Sequence, residues 1–163
     1  MSDTEITPET ENAFEAPKAD LSTPSTDKPI LQMKRFSAWG VFGLSIITFG
    51  IYLIYWMFTR VNKINTLSKV AKANVIGMYI YIAASIFSNV VLYGFTLVNV
   101  SLALSLISLV AFYVAIYSLR SAITEVINEG TKEKVKIGPI KTFFFNILYF
   151  QYKINEAIDN QRE

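Results

Sequence analysis

At 163 residues the chain has the length of a single domain, and its 52% hydrophobic against 17% charged residues make it too apolar for an ordinary soluble one. A net charge of +2 is too small to imply a nucleic-acid partner. Cysteine and histidine are both absent, which excludes disulfides, thiol nucleophiles, Cys-based metal sites and the commonest general base, so no catalytic residue, cofactor or metal site is expected.

Residues 1–32 are rich in Ser, Thr, Pro and acids and lack any apolar period. They are expected to form a disordered tail, either a solvated leader or a docking or phosphorylation segment, ahead of a helical membrane domain at 33–163. Asp3, Glu5, Glu9, Glu11 and Glu15 stand where a cleavable signal would need basic and then apolar residues, so insertion is expected to use internal segments.

Two stretches carry no Asp, Glu, Lys or Arg, residues 36–59 and 73–119. A spanning helix needs about 20 apolar residues to cross roughly 30 Å of hydrocarbon. The shorter stretch follows Lys34 and Arg35 and holds Gly40, Gly43 and Gly50 with Trp39, Tyr52, Tyr55 and Trp56, rings of the kind that collect at membrane interfaces. As one straight span it would carry the Tyr52 hydroxyl well into hydrocarbon. With a break at Thr48-Phe49-Gly50 it becomes two short arms that dip in and return, and this re-entrant form is the expectation adopted for 36–59.

Beyond it, Met57, Val61, Ile64, Leu67 and Ala71 share a stripe with Arg60, Lys63 and Lys72 off it. That spacing predicts a basic amphipathic helix over 60–73, in the head-group layer or as a soluble connector. The longer uncharged stretch fits two crossings, predicted at 75–95 and 98–119, with Gly94 and Asn99 bracketing the turn. Ser101, Ser105 and Ser108 fall on one face of the second, and Ala84 and Ser88 form a small-xxx-small pair on the first. Close helix packing is expected of them, a water-lined path being the sharper alternative.

Leu119, Ile123, Val126 and Ile127 continue a helical stripe, which predicts a cytosolic extension over 120–130 with Gly130 as its stop. After the linker TKEKVKIG, Pro139 opens an aromatic segment at 139–160 with only eleven uncharged residues between Lys141 and Lys153. It is too short to span, so it should lie in the interface or dip in. The fold class expected is therefore an all-α integral membrane protein, a two-span hairpin with two short aromatic membrane-dipping or interfacial elements.

Those two elements echo each other, TFGIYLIYW at 48–56 against TFFFNILYF at 142–150. At Thr48, Gly50, Tyr52, Tyr55 and Trp56, and again at Tyr149, Gln151, Tyr152 and Asn155, the chain resembles the domain-of-unknown-function 4234 family of small bacterial membrane proteins. The resemblance covers about residues 33–157, with Phe49 where leucine is often found. It implies a multi-pass protein of the bacterial inner membrane and brings no established activity. Some relatives carry an amino-terminal zinc ribbon, which implies a cytosolic amino terminus, and this chain has no cysteines to build one.

Arg60, Lys63, Lys69 and Lys72 form a basic run without an acid, which the positive-inside rule assigns to the cytoplasm. A two-span hairpin returns Arg120, Lys132, Lys134 and Lys136 to that side, and a dipping first element keeps both termini there. Three functions compete. The preferred one is a structural or accessory membrane protein acting through helix packing and contacts with lipid, a membrane-protein partner or a second copy. The alternative is a self-assembling channel or small transporter with the serine stripe on a shared axis. The third is an enzyme using Glu125 and Glu129, one helical turn apart, to hold a cation or proton, where a solvated helix face is the plainer reading.

Overall fold

A helix leaves its first N–H and last C=O groups unpaired, and the helices of this chain start where a side chain or a turn takes them up. The computed structural model describes residues 28–162, and these are helical, with no strand among them. One turn of 3-10 helix, Pro29–Gln32, precedes α1 (Ala38–Ile47), α2 (Ile51–Leu67), α3 (Val75–Phe95), α4 (Val98–Asn128) and α5 (Pro139–Arg162). Ser37 caps α1 by accepting from Gly40 N, and Asn74 caps α3 by accepting from Gly77 N at 2.8 Å. Past the end of α4, Gly130 takes a left-handed φ of 74°.

Among the described residues, helices α3 and α4 are the two long and apolar enough to cross a membrane, with mean hydropathies of 1.9 and 2.2 over their most apolar stretches. They reverse at Thr96, φ 55°, and pack against each other through Gly77, Ala84 and Ser88 on α3 and Ser101, Ser108 and Ala111 on α4. Small residues at the seam let the two backbones approach. The outward faces are apolar and exposed, Ile76, Ile80, Phe87 and Val90 on one helix and Leu102, Leu106, Leu109 and Val110 on the other.

From Ala115 onward α4 changes character. Ile116, Leu119, Ile123, Val126 and Ile127 are buried against Val61 and Ile64 of α2, Ile147, Phe150, Ile154 and Ile158 of α5, and Ile30. A single helix thus passes from an apolar, exposed half into an ordinary protein core. Burial of that core removes water from large aliphatic side chains, each contributing about 1.5–3 kcal/mol.

Three expectations are corrected. The expected disordered tail at 1–32 lies mostly outside the described residues, but Pro29–Gln32 is helical, with Ile30 and the following Met33 buried in the core. Ile30, Leu31 and Met33 are too few to show a period, so the sequence offered only composition, and composition pointed to solvent. A separate helix over 60–73 does not form: α2 runs on continuously from Ile51 to Leu67, and residues 68–74 leave the helix. The reason is that side chains capture the backbone there, as described below. The segment expected at 139–160 as a helix that lies in the interface or dips in is two arms, because Asn146 has φ 27° and ψ −107°, a conformation outside the helical range.

Candidate functional site

The break in the first aromatic element is built from three residues. Phe49 and Gly50 both have positive φ, 50° and 87°. Thr48 bridges the break, donating its hydroxyl to Leu44 O at 2.7 Å and accepting Tyr52 N at 2.9 Å, so it closes α1 and caps α2 at once. Gly50 has open space around it but a backbone that a branched side chain resists. Gly50→Val is expected to lower the unfolding free energy by about 1–2 kcal/mol, checked by thermal melting of the purified protein. An unchanged melting curve would mean that the turn is not specified by this glycine.

The second aromatic element also doubles back. Its first arm runs along α4 toward the apolar half: the Tyr117 hydroxyl donates to Pro139 O at 3.2 Å, and Phe143 stacks on Tyr113 with ring centroids 4.8 Å apart. After the kink at Asn146 the chain returns, and Gly138 N donates to the Tyr149 hydroxyl at 3.2 Å. That bond ties the first turn of the returning arm to the residue just before the first arm. The two tips adjoin, with Phe42, Ile46, Gly50, Phe144 and Asn146 lining one groove between them. Their apolar side chains point outward, Phe49 being 98% exposed, with Ile47, Ile51, Phe144 and Phe145 also exposed.

Behind the tips, one polar network joins the two motif segments. The Trp56 indole donates from Nε1 to Gln151 Oε1 at 2.9 Å, and Arg60 donates from Nη2 to the same oxygen at 3.2 Å and to Lys34 O at 3.1 Å. Gln151 Nε2 donates to Asn155 Oδ1 at 2.8 Å, and Asn155 Nδ2 donates to Phe36 O at 2.7 Å. Gln151 is fully buried and Trp56 is 2% exposed. Buried amides of this kind stabilise only when every hydrogen bond is made, which fixes one arrangement of the elements they join. Burial pulls the Arg60 guanidinium below its ordinary value, and it remains charged at neutral pH. The Arg60 guanidinium carbon also lies 5.9 Å from the Trp56 ring centroid.

A second cluster pins the loop after α2. Glu125 accepts from Lys69 N and Val70 N, each at 2.8 Å, from Ser68 Oγ at 2.8 Å and from Ala71 N. Burial pushes the Glu125 carboxyl up, but the bonds from Val70, Ala71, Ser68 and Lys69 outweigh it and hold the group at about 2, below the ordinary 4.5. Glu129 pairs with Lys69 at 2.5 Å. The two carboxylates considered as a catalytic or cation-binding pair are thus both engaged with the 68–71 loop, and among the described residues no group of three or more acidic side chains is placed to hold a metal.

Two asparagines act in parallel at the helix ends. Asn65 donates to Ala73 O at 3.1 Å and accepts Ala73 N at 2.7 Å, and Asn128 does the same with Val135, at 2.9 and 2.7 Å. Each amide replaces a missing backbone partner and folds a loop back on its helix.

The structure brings Thr48, Gly50, Tyr52, Trp56, Tyr149, Gln151 and Asn155 into these two turns and the network between them. Tyr52 packs near Phe36, with ring centroids 6.3 Å apart. Tyr55, its ring centroid 5.9 Å from that of Tyr52, and Tyr152 are exposed. The small-residue positions lie in the α3–α4 seam: Ser88 Oγ is 3.0 Å from Ser101 Oγ and 2.7 Å from Ser105 Oγ, Ser108 donates to Tyr81 O at 3.1 Å, and Ala84 is buried. Arg60 and the clamp made by Glu125 were not legible, because each acts on atoms far along the chain, and Asn65 and Asn128 were missed although each acts across a short loop on a residue eight or seven positions away. Asparagine near a helix end followed by a short loop was the one signal available for two of them.

No curated protein and no solved structure matches the chain. A family described as Domain of unknown function (DUF4234) matches residues 36–160, from Phe36 just before α1 to the last turn of α5, and includes both motif segments and the hairpin between them. The match covers most of the chain, and the protein belongs to that family.

Proposed function

We propose that this chain is a multi-pass membrane protein of structural or accessory type, working through helix packing and through contacts with lipid and with a protein partner, and not as an enzyme. In this reading α3 and the first part of α4 cross the bilayer, and the tips at Phe49 and Phe144 enter one leaflet without crossing. The core around Ile123 and Phe150 stands on the cytoplasmic side of a bacterial inner membrane. The observation that carries it is the employment of the family-motif residues: Thr48 and Gly50 form a turn, and Trp56, Gln151 and Asn155 join the two broken aromatic elements. Motif positions engaged in architecture support a role defined by shape and surface. The exposed apolar tips and outward faces support a lipid environment.

Site-directed crosslinking in native membranes tests this reading, from cysteines placed one at a time on exposed cytoplasmic positions such as Lys132 or Asn160. A discrete heteromeric adduct is expected, and a protein found only as an inert monomer from every position would overturn it. Self-assembly has one specific observation in its favour. Asn89 is exposed on apolar α3, and its amide donates only to Ser85 O of its own helix at 2.8 Å, leaving the carbonyl for a neighbour in lipid. Homodimers crosslinked through Asn89→Cys, in place of the heteromeric adduct, would select it.

A further inference from the structure

The turn into α5 leaves a cleft between the end of the 131–138 loop and the returning arm of α5. Lys136, Lys141 and Lys153 line it, with Tyr149 and Tyr152 on its wall. Its shape is preset. Arg120 donates to Ile137 O at 2.7 Å, Gly138 N donates to the Tyr149 hydroxyl, and the two sides of the cleft are therefore tied at its base. Lys136 and Lys141 are exposed. Lys153 pairs with Glu156, so among the described residues the positive charge there that is not in an ion pair comes from Lys136 and Lys141. Directly below lie Ile140, Phe143 and Phe144, exposed apolar side chains of the entering arm.

Charge above and exposed apolar surface below, with tyrosines between, match the order of groups in a lipid: phosphate, glycerol, acyl chain. We propose that this cleft binds the phosphate of an anionic phospholipid, with the acyl chains running along the exposed face of the first arm of α5. The proposal rests on the membrane reading above, which supplies the lipid. A tyrosine hydroxyl and lysine ammonium groups are donors, and an anionic phosphodiester accepts from both. A zwitterionic lipid carries its own ammonium group, which Lys136 and Lys141, in no ion pair among the described residues, repel.

The test uses the full chain purified from membranes into nanodiscs of equal parts dioleoyl phosphatidylglycerol and dioleoyl phosphatidylcholine, then released for native mass spectrometry. Bound phosphatidylglycerol should exceed phosphatidylcholine, by up to about 25-fold if each of two lysines contributes about fivefold near an anionic surface. Lys136→Ala with Lys141→Ala should bring the ratio close to one. Lys132→Ala with Lys134→Ala removes equal charge from the same loop outside the cleft and should leave the preference intact. Equal retention of both lipids by the natural chain, or equal loss in both double variants, overturns the proposal. Displacement of the lipid by millimolar glycerol phosphate would assign the cleft to a soluble phosphate ester and also overturn it. Release of the protein from membranes by alkaline carbonate would instead refute the membrane reading, so the two failures are distinguishable.

Discussion

Trp56→Ala is expected to lower the stability of the purified protein by about 3–5 kcal/mol, the range for truncating a buried aromatic. Two losses combine in that figure, the volume of a ring that is 2% exposed and the hydrogen bond from its Nε1 to Gln151. Trp56→Phe keeps most of the ring and removes the bond, and should cost about 1–2 kcal/mol. Gln151→Leu leaves the indole N–H and one contact of Arg60 without an acceptor in a buried place, at a cost of about 2–3 kcal/mol. Because both changes break the same bond, Trp56→Phe and Gln151→Leu together should cost less than their sum, with a coupling of roughly 1 kcal/mol in denaturant or thermal unfolding. Strictly additive losses would contradict the account, since the two motif segments would then be stabilised independently.

Glu125→Gln should cost about 2–3 kcal/mol, the scale of hydrogen bonds to a charged acceptor. The carboxylate offers two acceptor oxygens to four donors, whereas glutamine turns an NH2 toward two of them. The effect has a defined pH window. Glu125 is held at about 2 in the folded chain against an ordinary 4.5, so its contribution is fully present above about 4.5 and is lost as the pH falls toward about 2. The natural protein should therefore lose stability across that interval more steeply than the glutamine variant. Identical pH profiles would show that the 68–71 loop does not depend on the charge.

The helical class and the α3–α4 hairpin were legible because an uncharged stretch at 73–119 admits few other solutions, and the break at Gly50 because a glycine interrupts the apolar run just before Tyr52, whose hydroxyl a straight span would carry into hydrocarbon. What remained hidden depends on contacts distant in the chain. Glu125 reaches residues 68–71, Asn155 reaches Phe36, and Lys28 reaches the carbonyl of Gln161 at 3.0 Å. A helical stripe through Val61, Ile64 and Leu67 was visible, but what it buries against, a core shared with α4 and α5 and not a head-group layer, was not. The family motif was equally visible as residues and opaque as a role. Trp56 and Gln151 acquire one only when α2 and α5 are set side by side. The echo between the aromatic elements holds at Trp56 and Phe150, both buried, while the breaks fall at different aligned positions, Gly50 in one and Asn146 in the other.

The central claim, two crossings flanked by two elements that enter and return, is tested most directly by single cysteines in a chain that has none of its own. A maleimide reagent that does not cross membranes should label Thr96→Cys, in the turn of the hairpin, in intact cells. Cysteines at Ser25 in the amino-terminal tail and at Thr131 after α4 should react only once the membrane is permeabilised. Labelling of the Ser25→Cys variant in intact cells would contradict the account, because the first aromatic element would then cross the bilayer and not turn back at Gly50.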